Sequence, residues 1–469
     1  MSLFFIAIVC GLALSSVAQQ VEVTDVWGRR LNERGITLVD WDGFLANPAI
    51  KLTLRVPGAE ILPIDTTITA THPRIYFDHT LSLTNSVSRT IHISIFPDRD
   101  GEDEQYELRI TSTKTTTTIP IRVIDLDRPA AKHFPVTLDF SKDKTGFFKN
   151  PEARRITQQA ADDWAFFIDD MKFKTIPVGA EKTWIWNPDG FHSGQLVKND
   201  RPFDGYLLYA YGVHHAELRS GGEGSYVGAL YQNDGLRRSG GFEAETAGNY
   251  NALGWFFTTS DDDWNRSGNL RHETNDFYSI AHHEIGHALF FNSHHPAFAR
   301  WKKETKLSSP EVIAYLGHPA QINSSDHFPG EVDPASLKGA FGNEYGGVMA
   351  RKRWVPTKLD LLCLASLGYK LRPIFAFAPF KVDSSQFDPK ARLNAPYSSA
   401  LHPTASIPIF SFNISAGALP PGLSLDTFTG TISGTPTQTG AFQFQIEAQE
   451  FSTNSPAIQI PLTLNVGTD

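Results

Sequence analysis

The chain has 469 residues, 41% hydrophobic and 20% charged. That is the make-up of a folded protein, not of a disordered or membrane-embedded one, and the length suits about three domains of ~150 residues. The 42 basic and 51 acidic residues leave a net charge of -9. No Lys/Arg-rich run tracks a phosphate backbone, so no nucleic-acid partner is expected.

In chain order, the first stretch is apolar and closes on Ser16-Val17-Ala18, with small residues where a secretory leader is cut. Residues 1–18 therefore read as a signal peptide, too short to span a bilayer and followed by no second apolar run. The expected location is secreted or cell-surface. One cysteine, Cys363, then remains, among apolar residues at helical spacing. No intrachain disulfide is expected, so stability must come from packing or bound ions.

Residues 19–127 alternate in short runs such as "AIKLTLRV", "TIHISIF" and "TTTIPIRVIDL", the pattern of a β-sandwich. The acidic loop Asp98 to Glu104 reads as a solvated hairpin tip. It is also one of two places, with Asp261 to Trp264, where the sequence admits Ca2+. After "DRPAAKH" the pattern changes. "FPVTLDF" alternates as a strand, and a helix is expected with Asn150 as N-cap and Pro151 in its first turn. Strands "KTWIWN" and "GYLLYAYGV" follow, then the stretch "SIAHHEIGHALFFNSHHP". This order predicts an α+β domain over residues 134–372. Residues 373–469 return to short strands between Gly and Pro turns.

His283, Glu284 and His287 form an HExxH pattern on the predicted helix "DFYSIAHHEIGHALFF". Residues four apart share a helix face, so both imidazoles can reach one tetrahedral Zn2+. Glu284, about 100° further round, suits a general base. His282 has Gly286 at its i+4 position and reads as a supporting or packing residue. His214 and His215 read as surface residues at a strand end.

Downstream, Gly346-Gly347-Val348-Met349 precedes the Leu-rich stretch "KLDLLCLASLGY". Together with HExxH this resembles the metzincin metallopeptidases, in which a methionine turn, here Met349, floors the zinc. The resemblance implies a multidomain chain with an α+β zinc metallopeptidase (metzincin-like) core flanked by two β-sandwich domains, acting on a protein or peptide substrate. The chain departs from that family where a turn glycine and a third histidine are usual, since Phe290 and Ser293 stand there. The preferred third ligand is His327, in an order resembling leishmanolysin-type peptidases. A helix starting at Ser309-Pro310-Glu311 and ending near Gly317 would form the intervening insertion. His294 and His295 are the alternatives, and a carboxylate such as Asp326 is a further one.

"LPPGLSLDTFTGTISGTPTQTGAFQFQIEAQ" resembles the repeat of bacterial immunoglobulin-like domains and implies an appended β-sandwich. Two functions follow. The first is a secreted zinc-dependent endopeptidase using Glu284 as base. The second is a surface adhesion or matrix-binding protein, with a cell-surface or matrix ligand on its sandwiches and a structural or inactive metal site.

Overall fold

A computed structural model describes residues 20–57, 67–72, 74–77, 88–112, 115–128, 134–187, 190–214, 222–225, 236, 238–245, 255–257, 275–289, 291, 295–323, 327–328, 355–372, 380–405, 407–451 and 456–468. The leader, His215, Asp261 to Trp264, His294, Asp326 and Met349 lie outside them.

Eight strands build the N-terminal sandwich: β1 (Glu22–Thr24), β2 (Ile36–Asp40), β3 (Ile50–Arg55), β4 (Thr67–Ala70), β5 (Ile75–Phe77), β6 (Ser88–Ile95), β7 (Glu104–Ser112) and β8 (Thr115–Asp125). They form two four-stranded sheets, in the orders β1-β3-β6-β5 and β2-β8-β7-β4. Alternation sets the faces: β3 turns Ile50, Leu52 and Leu54 inward and Lys51 and Arg55 outward, as a period of two requires. Ile91, Ile93, Leu108, Ile119 and Ile121 complete the core between the sheets.

The next sheet holds β9 (Val136–Asp139), β12 (Tyr206–Val213), β13 (Gly222–Ser225) and β14 (Ser239–Glu245), in the order β13-β14-β12-β9. Strands β9, β12 and β14 are parallel and β13 is antiparallel. Every residue of β12 is buried, because both of its faces are covered. The hairpin β10 (Lys182–Asn187) and β11 (Gly190–Lys198) packs Ile185 against Leu207, Tyr209 and Tyr211 on one face. On the other face lie α1 (Pro151–Phe166) and α2 (Phe277–Leu289), meeting Leu208, Ala210 and Phe242. Helix α1 starts where expected, with the Asn150 side chain accepting from Glu152 N. Three shorter helices follow: α3 (Pro296–Trp301), α4 (Pro310–Leu316) and α5 (Lys358–Ser366).

The expected fold class needs correction. Strand outweighs helix 44% to 17%, spread over nine sheets of two to four strands among the described residues. The chain is a mostly-β assembly of small sheets with an immunoglobulin-like end, not an α+β metallopeptidase core between two sandwiches. The reason is local. Among the described residues of 134–372, the sheet and hairpin of β9 to β14 are followed by short ladders such as Lys302–Lys303, Lys306–Leu307 and Ala320–Gln321, and three of the five described helices span nine residues or fewer.

The same core that holds α1 and α2 also takes Val39, Trp41, Phe44, Leu45 and Phe96 of the N-terminal sandwich. At the C-terminal end, strands Lys390–Arg392, Phe410–Gly417, Gly440–Glu450 and Ile458–Gly467 form one sheet, and Tyr397–Ala400, Leu423–Leu425 and Thr431–Gly434 form another, around Phe412, Ile432, Ile446 and Leu464. The two end regions touch. Trp27 Nε1 donates to Gln449 at 2.8 Å, Arg34 pairs with Asp426 at 2.6 Å, and the Arg29 guanidinium lies 3.8 Å from the Phe428 ring centre.

Gly205 admits the chain to β12. Its φ is +65°, and a Cβ there would lie 2.1 Å from the carbonyl oxygen of Pro135, which also accepts from Tyr206 N. Gly205→Ala is expected to cost at least ~2 kcal/mol in chemical denaturation, combining left-handed strain with a backbone clash. A loss below ~0.5 kcal/mol would contradict this register.

Candidate metal centre

Twelve of the thirteen residues of α2 are buried, as expected of a helix apolar on nearly all sides. Asp276 ties off its first turn, accepting from Ser279 N at 3.1 Å and from Ser279 Oγ at 2.6 Å. At the other end Tyr206 donates to Ala288 O and Tyr369 to Leu289 O at 3.1 Å. Two carbonyls with no partner inside the helix are thereby satisfied.

Just past the helix end, Phe291 N donates to Gly286 O at 3.1 Å. This brings the Phe291 carbonyl to His287 Nδ1, 2.6 Å away. A carbonyl only accepts, so Nδ1 carries the hydrogen and Nε2 presents its lone pair, the arrangement that orients metal-binding imidazoles.

Three such nitrogens meet. His283 Nε2 and His287 Nε2 are 3.1 Å apart, His287 Nε2 and His327 Nε2 3.1 Å, and His327 Nε2 and His283 Nε2 3.0 Å. The His283 and His327 rings are parallel within 5°, and His287 stands at 83–86° to both. His327 is held by a backbone exchange with Asn323, whose N donates to His327 O at 2.8 Å and whose Oδ1 accepts from His327 N at 3.0 Å. Helix α4, with Ser309 as N-cap and Gly317 as left-handed C-cap, lies in the connection between His287 and His327. A triangle of imidazole nitrogens cannot hydrogen-bond itself to completion, since each neutral ring has a single N–H. It does suit a divalent cation of borderline softness, and three protein ligands with a fourth position left open are the usual catalytic zinc set. Glu284, beside His283, is 6% exposed.

The other expected residues fall elsewhere. His295 caps α3, its Nδ1 accepting from Ala297 N at 3.2 Å, and is not among the converging groups. Cys363 is buried and in no disulfide. His282 turns away from the triangle towards Asp163 of α1, Nε2 to Oδ2 2.6 Å. The role of Asp163 was not read from the sequence. Its one signal was an acidic residue on the apolar face of α1, a place that demands a partner.

A second cluster lies in the N-terminal sandwich, where Asp40, Asp98 and Asp125 bring carboxylate oxygens within 4.8 Å of one another. Arg74 supplies this cluster with a cation, pairing with Asp40, Asp98 and Glu104. The tip of the acidic loop is exposed, with Glu102 N donating to Asp100.

Residues 379–466 match the family described as "Putative Ig domain". The C-terminal end is an immunoglobulin-like domain. Curated proteins yield no match. Among solved structures, a putative alpha-galactosidase from Bacteroides fragilis NCTC 9343 shares 22% identity over 19% of this chain and 17% of its own, with a TM-score of 0.17. Domains 4 and 5 of the S-layer protein SbsC share 12% over 19% and 47%, TM-score 0.15. Extracellular cadherin domains 3–6 of protocadherin gamma B2 share 10% over 96% and 77%, TM-score 0.18. The chain thus spans less than half the length of the first two, and none of these likenesses carries the fold of residues 134–372. No helix among the described residues is long and apolar enough to cross a membrane.

Asp127, beside the second cluster, accepts from Gly43 N. Burial, then the charge of Asp125, pushes its carboxyl up to about 8. A raised folded-state value stabilises fully below the unfolded value near 4 and is lost as pH rises through about 8. Asp127→Asn keeps the acceptor and removes the charge. It is expected to gain on the order of 1–2 kcal/mol over the parent at pH 9 and little at pH 4, read from thermal unfolding at both values. An equal effect at both would contradict the assignment.

Proposed function

We propose that the chain is an exported zinc-dependent endopeptidase whose zinc is held by His283, His287 and His327. The observation that carries this reading is the triangle of Nε2 atoms at 3.0–3.1 Å, with buried Glu284 the next residue after His283 on the same helix. Zinc held there would supply Lewis-acid activation of water and of a peptide carbonyl. Glu284 takes a proton from the attacking water and returns it to the leaving amine, so the base of the first step is the acid of the last. The Phe291 carbonyl keeps His287 in its ligating tautomer. Export rests on the apolar leader and its small-residue closure. The proposal rests on the side chains of the site and not on membership of a peptidase family.

A second reading is a surface or matrix-binding protein in which the sandwiches carry the function and the three histidines hold a structural ion. It is supported by the one family match, which falls on the immunoglobulin-like domain, and by the strand-rich architecture. The comparisons favour it over the first, whereas a glutamate directly after the first histidine favours hydrolysis.

The purified chain is expected to hold about one zinc. His283→Ala, His287→Ala and His327→Ala should each weaken zinc binding by more than ~100-fold, since each removes one of three ligands. Glu284→Gln should keep the zinc and lower peptide hydrolysis at least ~100-fold. Stoichiometric zinc with no hydrolysis of any protein substrate by the parent chain would favour the binding reading, and unchanged zinc in all three histidine variants would end both.

A further inference from the structure

Nothing in the triangle itself explains what fixes the rotation of α2. A helix advances 100° per residue, so a small roll about its axis would swing His283 and His287 off a shared point. Apolar contacts on a nearly all-buried helix resist such a roll poorly, whereas directed polar contacts resist it well.

The side of α2 facing away from the triangle is held by one carboxylate. Asp163 of α1 is fully buried. Its Oδ2 accepts from Tyr278 Oη at 2.5 Å and meets His282 Nε2 at 2.6 Å; its Oδ1 accepts from Gln159 Nε2 at 3.0 Å and pairs with Arg99. Tyr278 and His282 are one turn apart on α2, and His282 directly precedes His283. The next residue of α1 grips the backbone at the same point, Trp164 Nε1 donating to His282 O at 2.9 Å. Both the ring and the carbonyl of His282 are therefore held by α1.

Two of the groups around Asp163 belong to the N-terminal sandwich. Arg99 follows β6 and reaches in to the carboxylate. Phe44 stacks on the His282 ring at 5.6 Å and 10° and lies 5.5 Å from the Tyr278 ring. The Arg99 guanidinium in turn lies 5.3 Å from the Phe44 ring centre.

We propose that Asp163 is a positioning residue for the metal site, setting the roll of α2 through His282 and Tyr278, and that Arg99 and Phe44 make the N-terminal sandwich a working part of that site and not a detachable leader domain. This rests on reading His283, His287 and His327 as a metal site.

The test uses the full chain. Asp163→Asn preserves volume but removes the charge facing Arg99 and an acceptor needed by several donors; Arg99→Gln changes only the sandwich side, and Tyr278→Phe removes one hydroxyl. Zinc affinity by chelator competition is expected to fall about 10- to 100-fold in Asp163→Asn, the range for residues that orient ligands, and several-fold in Arg99→Gln. The visible absorption of the Co2+-substituted protein should shift in both, a change that a purely structural loss of stability would not produce. Should Asp163→Asn fail to fold, Arg99→Gln and Tyr278→Phe carry the same test. Folded variants with zinc affinity within twofold of the parent and an unchanged Co2+ spectrum would overturn the proposal. If the parent itself binds neither ion, the metal-site reading fails, and hydrogen exchange across residues 277–289 decides the clamp: at least tenfold faster exchange in Asp163→Asn and Arg99→Gln supports it, and unchanged exchange refutes it.

Discussion

Helix α2 buries twelve of its thirteen residues yet carries three histidines and a glutamate, and the design of the central region follows from that conflict. A buried polar group without a partner costs several kcal/mol, so each of these side chains has to be answered by something outside the helix. His282 is answered by Asp163. His287 is answered at Nδ1 by the carbonyl of Phe291, four residues further along the chain. The three Nε2 atoms converge on one another, an arrangement that a shared cation would satisfy.

The same logic ties the N-terminal sandwich to the middle of the chain. Trp41, Phe44 and Phe96 enter the core beneath α1 and α2, and Ala46 N donates to Pro356 O at 2.7 Å, just before α5. Arg74 plays inside the sandwich the part that Arg99 plays at its border, each a guanidinium set against a fully buried carboxylate, Asp40 and Asp163. Such groupings fix geometry more than they add stability, because desolvation offsets much of the attraction.

Local signals in the sequence translated well. Asn150-Pro151 starts α1 and Ser309-Pro310 starts α4, which ends at Gly317, because caps act within one turn. The HExxH spacing and the late histidine brought forward His283, His287 and His327, and these three the structure gathers. His295, one of the two alternatives close behind the helix, caps α3 instead. The architecture of residues 134–372 was not legible. Several of its ladders use strands of two to four residues, too short for alternation to register, and one parallel pairing, β9 with β12, joins strands about 70 residues apart. Asp163 escaped notice for a related reason: its partners Arg99, Tyr278 and His282 are 64 to 119 residues away.

The central claim is that three imidazoles hold one zinc and leave a position open. X-ray absorption at the zinc edge of the purified chain tests it most directly. The expected spectrum is four- to five-coordinate, with about three imidazole nitrogens, at least one further light scatterer and no sulfur. A closed shell of four protein ligands, a sulfur scatterer, or fewer than two imidazoles would contradict it.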